Sequence, residues 1–119
     1  MNINSLIDKI KSNLLDDDEL IQCLNIPNNM IQNYAIQKIV ERKITNSDVI
    51  ETLVKLSYLK DLQSHRLFSY YSLGHIAIAA LHELETKESF SEYESLFEQL
   101  SDWDKEVVEK LIVNKAFKK

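Results

Sequence analysis

Three side chains near the middle of the chain have the types that could bind a metal ion. His75 and His82 stand seven residues apart, and Glu85 follows His82 at a spacing of three. On one helix the two imidazoles would be about 10.5 Å apart along the axis, too far for one ion without ligands from elsewhere. His82 and Glu85 could come together, but no second motif of this kind accompanies them. We therefore predict structural or solvated histidines, and no metal or cofactor.

Other residue patterns that carry chemistry are equally weak. The acidic run from Asp16 to Glu19 lacks the alternating acids, central glycine and distal glutamate of a calcium loop, and it suits the positive end of a helix dipole. Gly74 is the only glycine, so the sequence contains no glycine-rich phosphate loop. No serine, tyrosine or carboxylate stands at a spacing tied to a reaction. We predict that the protein is not an enzyme.

Charge is distributed unevenly along the chain. Residues 83–109 hold ten acids against Lys87 and Lys105, a net charge of −8 in a chain whose total is −5. A field of this sign repels nucleic acid and favours a basic protein partner. The simpler alternative, which the sequence leaves open, is that these acids are only the solvated faces of two helices.

The predicted contact residues combine this charge with aromatic side chains. Trp103 lies in a Ser-Asp-Trp-Asp turn, where it could anchor a partner or fold back onto Val107 of the following helix. Tyr58 is a second candidate anchor, whereas Tyr71 is assigned to the core and Tyr70 is left open. The full predicted protein-binding set is Glu51, Tyr58, Glu92, Glu94, Glu98, Asp102, Trp103 and Asp104.

These side chains must be positioned by helices. With 119 residues, 45% of them hydrophobic, and only one glycine and one proline, the chain predicts a single all-α domain over residues 1–119. Apolar spacing and capping residues predict about seven helices. The first four are expected at residues 5–15, with Ser5 as N-cap, at 18–24, from 28 or 29 to about 43, and at 47–59. The last three are expected at 64–84, around 90–100 and around 107–117. Gly74, inside the fifth helix, predicts either a kink or a close helix crossing.

One apolar pattern occurs twice. It comprises Tyr34, Ala35, Ile36 and Ile39, which return about 42 residues later as Ile76, Ala77, Ile78 and Leu81. Paired helices at this spacing, with the small residues between Gly74 and Ala80, resemble HEAT repeats over residues 28–100. The resemblance implies stacked helical hairpins in a right-handed α-solenoid-like domain, in which the second helix of each pair lines a concave, partner-binding face. A seven-helix globule without such stacking is the alternative.

Size, acidity and this helical pattern also resemble small bacterial immunity proteins. That resemblance implies a toxin-neutralising protein that covers a basic toxin, often a nuclease, with an acidic helical face. The alternative function is an adaptor or scaffold that holds a partner peptide or helix in an apolar groove. We expect neither a nucleic acid nor a membrane as partner, and the sequence leaves the oligomeric state open.

The start of the chain and its cysteine content predict the cellular compartment. The first 15 residues include Asp8, Lys9 and Lys11, so they lack the uncharged stretch of a signal peptide. No segment approaches the roughly 20 apolar residues that cross a bilayer. Cys23 is the only cysteine, and its apolar neighbours predict a buried thiol in a reducing compartment. We expect a cytoplasmic protein.

Overall fold

The computed structural model describes residues 3–68, 71–114 and 116–117, and over these residues the chain is mainly helical. Among the described residues, seven helices have seven residues or more: α1 (Ile3–Lys11), α2 (Asp17–Cys23), α3 (Asn29–Arg42), α4 (Ser47–Leu56), α6 (Leu73–Glu83), α7 (Lys87–Glu98) and α8 (Asp102–Val113). Between α4 and α6 lie a four-residue helix, α5 (Leu62–His65), and two short strands, β1 (Arg66–Phe68) and β2 (Tyr71–Ser72). The predicted all-α class is confirmed. No helix in the described part of the chain has the length and apolar character needed to span a bilayer.

Side-chain caps determine where several helices begin. The Asn28 side chain accepts the N–H groups of Met30 and Ile31, each at 3.0 Å, and so starts α3. Asp16 and Ser101 cap α2 and α8 in the same way. A cap of this kind contributes about 1 kcal/mol to stability. The acidic run at residues 16–19 therefore serves the start of α2, as its charge pattern predicts.

Ser5 is not an N-cap, contrary to the prediction. Helix α1 begins at Ile3, which places Ser5 inside the helix. The reason is that the apolar spacing of Ile7 and Ile10 continues back to Ile3, which stands one turn before Ile7 and two residues before Ser5.

The predicted helix at residues 64–84 is wrong in its first half. Helix α6 begins only at Leu73, and β1 and β2 precede it as an antiparallel pair in which Arg66 lies opposite Ser72. The helix starts here because Ser72 has an extended backbone and its Oγ accepts the N–H of His75, which caps α6. Tyr71 is buried, as predicted, although it enters the core from a strand. Tyr70 lies outside the described residues.

Helix α6 lies at the centre of the fold. Every residue from Leu73 to Leu81 is buried, and α3, α4, α7 and α8 all pack against this helix. Ala77, Ala79 and Ala80 are fully buried, and their small side chains allow neighbouring helices to approach closely. Helices α1 and α2 pack against α3. Cys23, at the end of α2, is buried, as predicted.

Gly74 marks a close backbone approach at the start of α6. Its N–H donates to the carbonyl oxygen of Leu59 at 2.9 Å. A Cβ atom at this position would lie 2.7 Å from the carbonyl oxygen of Ser57 and 2.9 Å from that of Leu59. The chain that follows α4 thus runs against α6 at a distance that only glycine permits. The sequence predicts either a kink or a close helix crossing. The structure shows a close approach at Gly74, but the neighbour is the turn after α4 and not a crossing helix.

We expect Gly74→Ala to destabilise the protein by about 1–3 kcal/mol, the usual range for overpacking. In open surroundings the same change inside a helix would stabilise it by up to about 1 kcal/mol. The sign of the effect therefore tests the close approach. Urea unfolding followed by circular dichroism gives the free energy of unfolding of both proteins, and a more stable alanine variant would contradict the contact.

Candidate functional site

The predicted contact residues on α7 lie on two sides of that helix. Glu94 and Glu98 are exposed and one turn apart, so they share one side. Glu92 is half-buried and stands about 200° around the helix from Glu94, at about 100° per residue. Of these three carboxylates, Glu94 and Glu98 can therefore act together on one partner.

Helix α8 contributes a second acidic side. Asp102 and Glu109 are exposed and stand two turns apart on α8, facing nearly the same direction. Burial is the main cause that raises the pKa of Tyr93, and the charges of Glu109 and Glu94 raise it further. Carboxylates from two helices thus both influence the ionisation of one phenol. We call Glu94, Glu98, Asp102 and Glu109 the acidic face.

Four rings lie side by side next to the acidic face. His82 of α6 has its ring centre 5.5 Å from that of Phe90 and 5.0 Å from that of Tyr93. Tyr93 lies 5.4 Å from Phe97, and the Lys105 ammonium is 5.8 Å from the centre of Phe97. We call His82, Phe90, Tyr93 and Phe97 the aromatic row. Phe90 is 39% exposed, and the other three are partly exposed, so a partner can reach the row.

Asp104, another predicted contact residue, has its carboxylate turned into the protein. Its Oδ1 accepts a hydrogen bond from His75 Nε2 at 2.7 Å, and its Oδ2 accepts one from the Ser101 hydroxyl at 3.0 Å. The side chain is 21% exposed. This carboxylate therefore ties the first turn of α8 to α6, and each of its two oxygens has a hydrogen-bond partner within the protein.

His75 is fully buried and connects Asp104 to the cap of α6. Its Nδ1 accepts the backbone N–H of Ser72 at 2.9 Å, which assigns the ring proton to Nε2 and to the bond with Asp104. Serine, histidine and aspartate are the residue types of a hydrolase triad, but Ser72 and His75 have no exposed surface, so a substrate could not reach the hydroxyl. Burial lowers the pKa of His75 and outweighs the opposing effect of the hydrogen bond to Asp104.

The two aromatic residues of the predicted set, Trp103 and Tyr58, are both exposed. Trp103 is 48% exposed, and its ring meets the His75 ring edge to face, with 5.7 Å between the ring centres. It therefore packs on α6 and still presents about half of its surface to a partner. Tyr58 is 63% exposed, and it lines a pocket of about 200 Å³ together with Ser101 and Asp104, so it lies close to the start of α8.

Glu51 completes the predicted set. It is exposed on α4, and its carboxylate lies 4.0 Å from the Lys55 ammonium, one turn further along the helix. An exposed pair of this kind contributes little to stability. Glu51 thus carries a partly compensated charge on a different helix from the acidic face.

His82 and Glu85 do not pair with each other in the structure, and each contacts another residue. His82 Nδ1 lies 2.7 Å from the Glu83 carboxylate, and Glu85 forms an ion pair with Lys43 at 2.9 Å. Over the described ranges of the chain, no group of three His, Cys, Asp or Glu side chains could hold a metal ion.

Sequence reasoning missed the aromatic row and the role of Glu109. The spacing of Phe90, Tyr93 and Phe97 predicts only an apolar side packed on the core, yet these rings stay partly exposed. A usable signal was present, because all three residues at successive helical positions are aromatic and acids stand between them. The approach of Glu109 to Tyr93 depends on the position of a second helix, which no local pattern records.

Comparison of the chain with models of protein families, with curated proteins and with solved structures finds no match. The candidate site is therefore defined by the geometry of this chain.

We expect the pH dependence of stability to reveal His75. Because the folded protein binds a proton at His75 less readily than the unfolded chain, the free energy of unfolding should fall as the pH drops below about 6.5. For one group this fall is at most about 1.4 kcal/mol per pH unit. Urea unfolding near pH 7.5, 6.5 and 5.5 measures it.

Two variants identify the source of this pH dependence. His75→Gln should be less stable than the wild type near pH 7.5 and should lose less stability on acidification. Ser72→Ala removes the hydroxyl of the same cap and keeps the imidazole, so it should lose about 1 kcal/mol at each pH and retain the fall. An undiminished fall in His75→Gln would show that another group titrates.

Proposed function

We propose that this protein is a non-enzymatic protein-binding module, and specifically an immunity protein that neutralises a basic toxin such as a nuclease. The observation that supports this best is the acidic face, whose exposed carboxylates belong to two neighbouring helices: Glu94 and Glu98 to α7, Asp102 and Glu109 to α8. Carboxylates that gather from two helices produce a stronger local field than the same charges placed singly. Such a field accelerates association with a positively charged partner.

In this proposal the toxin is inhibited by occlusion. Lysine and arginine side chains around the toxin's active site meet the acidic face, and the bound protein blocks access of the substrate. Tyr58 and Trp103 act as anchors, since exposed aromatic side chains often dominate interface energetics. Glu51 and Glu92 are outlying contacts, and Asp104 contributes by holding the turn that carries Trp103.

The HEAT-like architecture is part of the same proposal. Helices α3 and α4 form the first hairpin and α6 and α7 the second. The contacts of α3 with α6 and of α4 with α7 support such stacking, because equivalent helices meet. In a right-handed solenoid, α4 and α7 would line the concave face, while α1, α2 and α8 cover the ends. We also place the protein in the bacterial cytoplasm, because the resemblance to immunity proteins implies a bacterial origin and a single buried cysteine suits a reducing compartment.

An adaptor that holds a peptide or helix is the second candidate function. The pocket of about 200 Å³ beside Tyr58 favours it, because Ile78, Leu96 and Leu100 form part of its lining. An apolar side chain of a peptide could occupy this pocket. Salt distinguishes the two functions, since a charge-steered complex associates much more slowly at high ionic strength and an apolar contact hardly responds.

Reversing the charge of the acidic face should weaken binding of the partner. We expect the wild type to retain a basic protein from an extract of the native cell at about 50 mM salt and to release it near 500 mM. It should also inhibit that protein, once purified, at a one-to-one ratio. The combined change Glu94→Lys, Glu98→Lys and Glu109→Lys should weaken binding at least about tenfold, measured by calorimetry with the purified partner.

A matched control distinguishes the effect of the acidic face on binding from the effect of the net charge. Asp8, Asp18 and Asp48 are exposed on α1, α2 and α4, and their replacement by lysine changes the net charge by the same amount. This control should bind nearly as well as the wild type. Equal loss of binding in both triple variants, or undiminished binding in the first, would contradict a role for the acidic face.

A further inference from the structure

A lysine lies near each end of the aromatic row. At one end Lys105 places its ammonium 5.8 Å from the centre of the Phe97 ring. At the other end Lys87 lines the same surface depression as Phe90. These are also the two lysines of the strongly acidic segment, residues 83–109. Lys105 lies against a ring, whereas Lys87 shares its depression with Glu83 and Glu85 as well as with Phe90.

The middle of the row has the opposite charge. Glu94 follows Phe90 by one turn of α7, and Glu109 follows Lys105 by one turn of α8, so both carboxylates stand near the row. Burial raises the pKa of Tyr93, and the charges of Glu109 and Glu94 raise it further. Tyr93 is partly exposed, and its ring centre lies 5.5 Å from that of Phe90. A ring face and two carboxylates therefore meet at one accessible place.

Elsewhere this chain places cations over its own rings. Lys11 lies 4.6 Å from the centre of Tyr34, and Lys60 lies 5.5 Å from that of Tyr58. Within the described residues, no lysine or arginine occupies the equivalent position over Phe90 or Tyr93. The middle of the aromatic row has the rings and the negative charge that a cation requires, without a cation from the described part of the chain.

We infer that Phe90 and Tyr93, with Glu94 and Glu109, form a seat for one arginine side chain of the basic partner. The inference rests on the proposed function, since it names the chemistry by which that partner is recognised. Because the two rings are inclined to each other by 40°, the guanidinium lies flat against one of them and meets the other at its edge, and its N–H groups donate to the carboxylates.

Arginine fits this seat better than lysine for a geometric reason. The guanidinium is planar, so it can stack on a ring and direct several N–H donors outward in the same plane. It is also less strongly hydrated than an ammonium, so contact with a ring removes less favourable solvation. A lysine would gain the charge attraction of Glu94 and Glu109 but not the combination of stacking and paired hydrogen bonds.

Hexa-arginine and hexa-lysine peptides test the seat, because they carry equal charge and differ in the shape of the cation. Isothermal titration calorimetry with the full-length protein at about 20 mM salt should show that hexa-arginine binds about two- to fivefold more tightly. The double variant Phe90→Leu with Tyr93→Leu keeps apolar side chains and should remove this preference. Tyr93→Phe keeps the ring and should retain it, and Glu94→Gln with Glu109→Gln should weaken both peptides.

The outcomes separate the arginine seat from the proposed function. Equal affinity of the two peptides for the wild type would overturn the seat and leave a charge-based function intact. A preference for arginine that persists in the leucine variant, verified as folded by circular dichroism, would also overturn the seat. If neither peptide bound at low salt, both the seat and the proposed attraction to basic proteins would fail.

Discussion

Helix α6 has no residue exposed to solvent between Leu73 and Leu81, so other helices must surround it. Burial of its apolar side chains contributes on the order of 25 cal/mol per Å² removed from water. Burial also removes water from the first N–H groups of the helix, which have no partner within it. Ser72 and the carbonyl oxygen of Leu59 accept these groups. The enclosure of α6 thus requires both the apolar core around it and the few buried polar contacts at its first turn.

The enclosure of α6 also explains where the charge of the protein lies. Helices α7 and α8 place Leu96 and Val108 toward the core, and charged side chains are excluded from those sides because burying an unpaired charge is very unfavourable. The exposed acids Glu94, Glu98, Asp102 and Glu109 therefore lie on other sides of the two helices, whereas Glu92 and Asp104, one turn before Leu96 and Val108, are only partly exposed. Phe97 of α7 lies beside Lys105 of α8, so the aromatic row is adjacent to the acidic face.

The hydrogen bond between His75 and Asp104 connects the core to this surface. It joins the start of α6 to the start of α8, and Trp103 packs on the same imidazole. A side chain held in this way loses less freedom when a partner binds, which reduces the entropic penalty of association. The buried network therefore supports the proposed function by positioning an exposed anchor, while its own groups stay inaccessible.

The sequence by itself determined most of the helices, their caps and the sign of the surface charge. Asn28 and Asp16 cap helices within three residues of themselves, and helical apolar spacing identifies buried positions such as Cys23. These features can be predicted from the sequence because the interactions responsible act between near neighbours in the chain. The break before Leu73, where apolar residues continue through a strand pair, was not readable from spacing because strand and helix bury the same residue types.

Only the tertiary structure decided how the site is built. Asp104 has the composition of a surface acid, yet it bonds to His75, 29 residues away in the chain. Glu109 belongs to the site because α8 brings it to Tyr93 of α7, and Gly74 matters because the turn after α4 passes against it. Each of these contacts depends on how the helices pack around α6. Packing is set by the sum of many side-chain contacts between distant segments, which a local pattern does not contain.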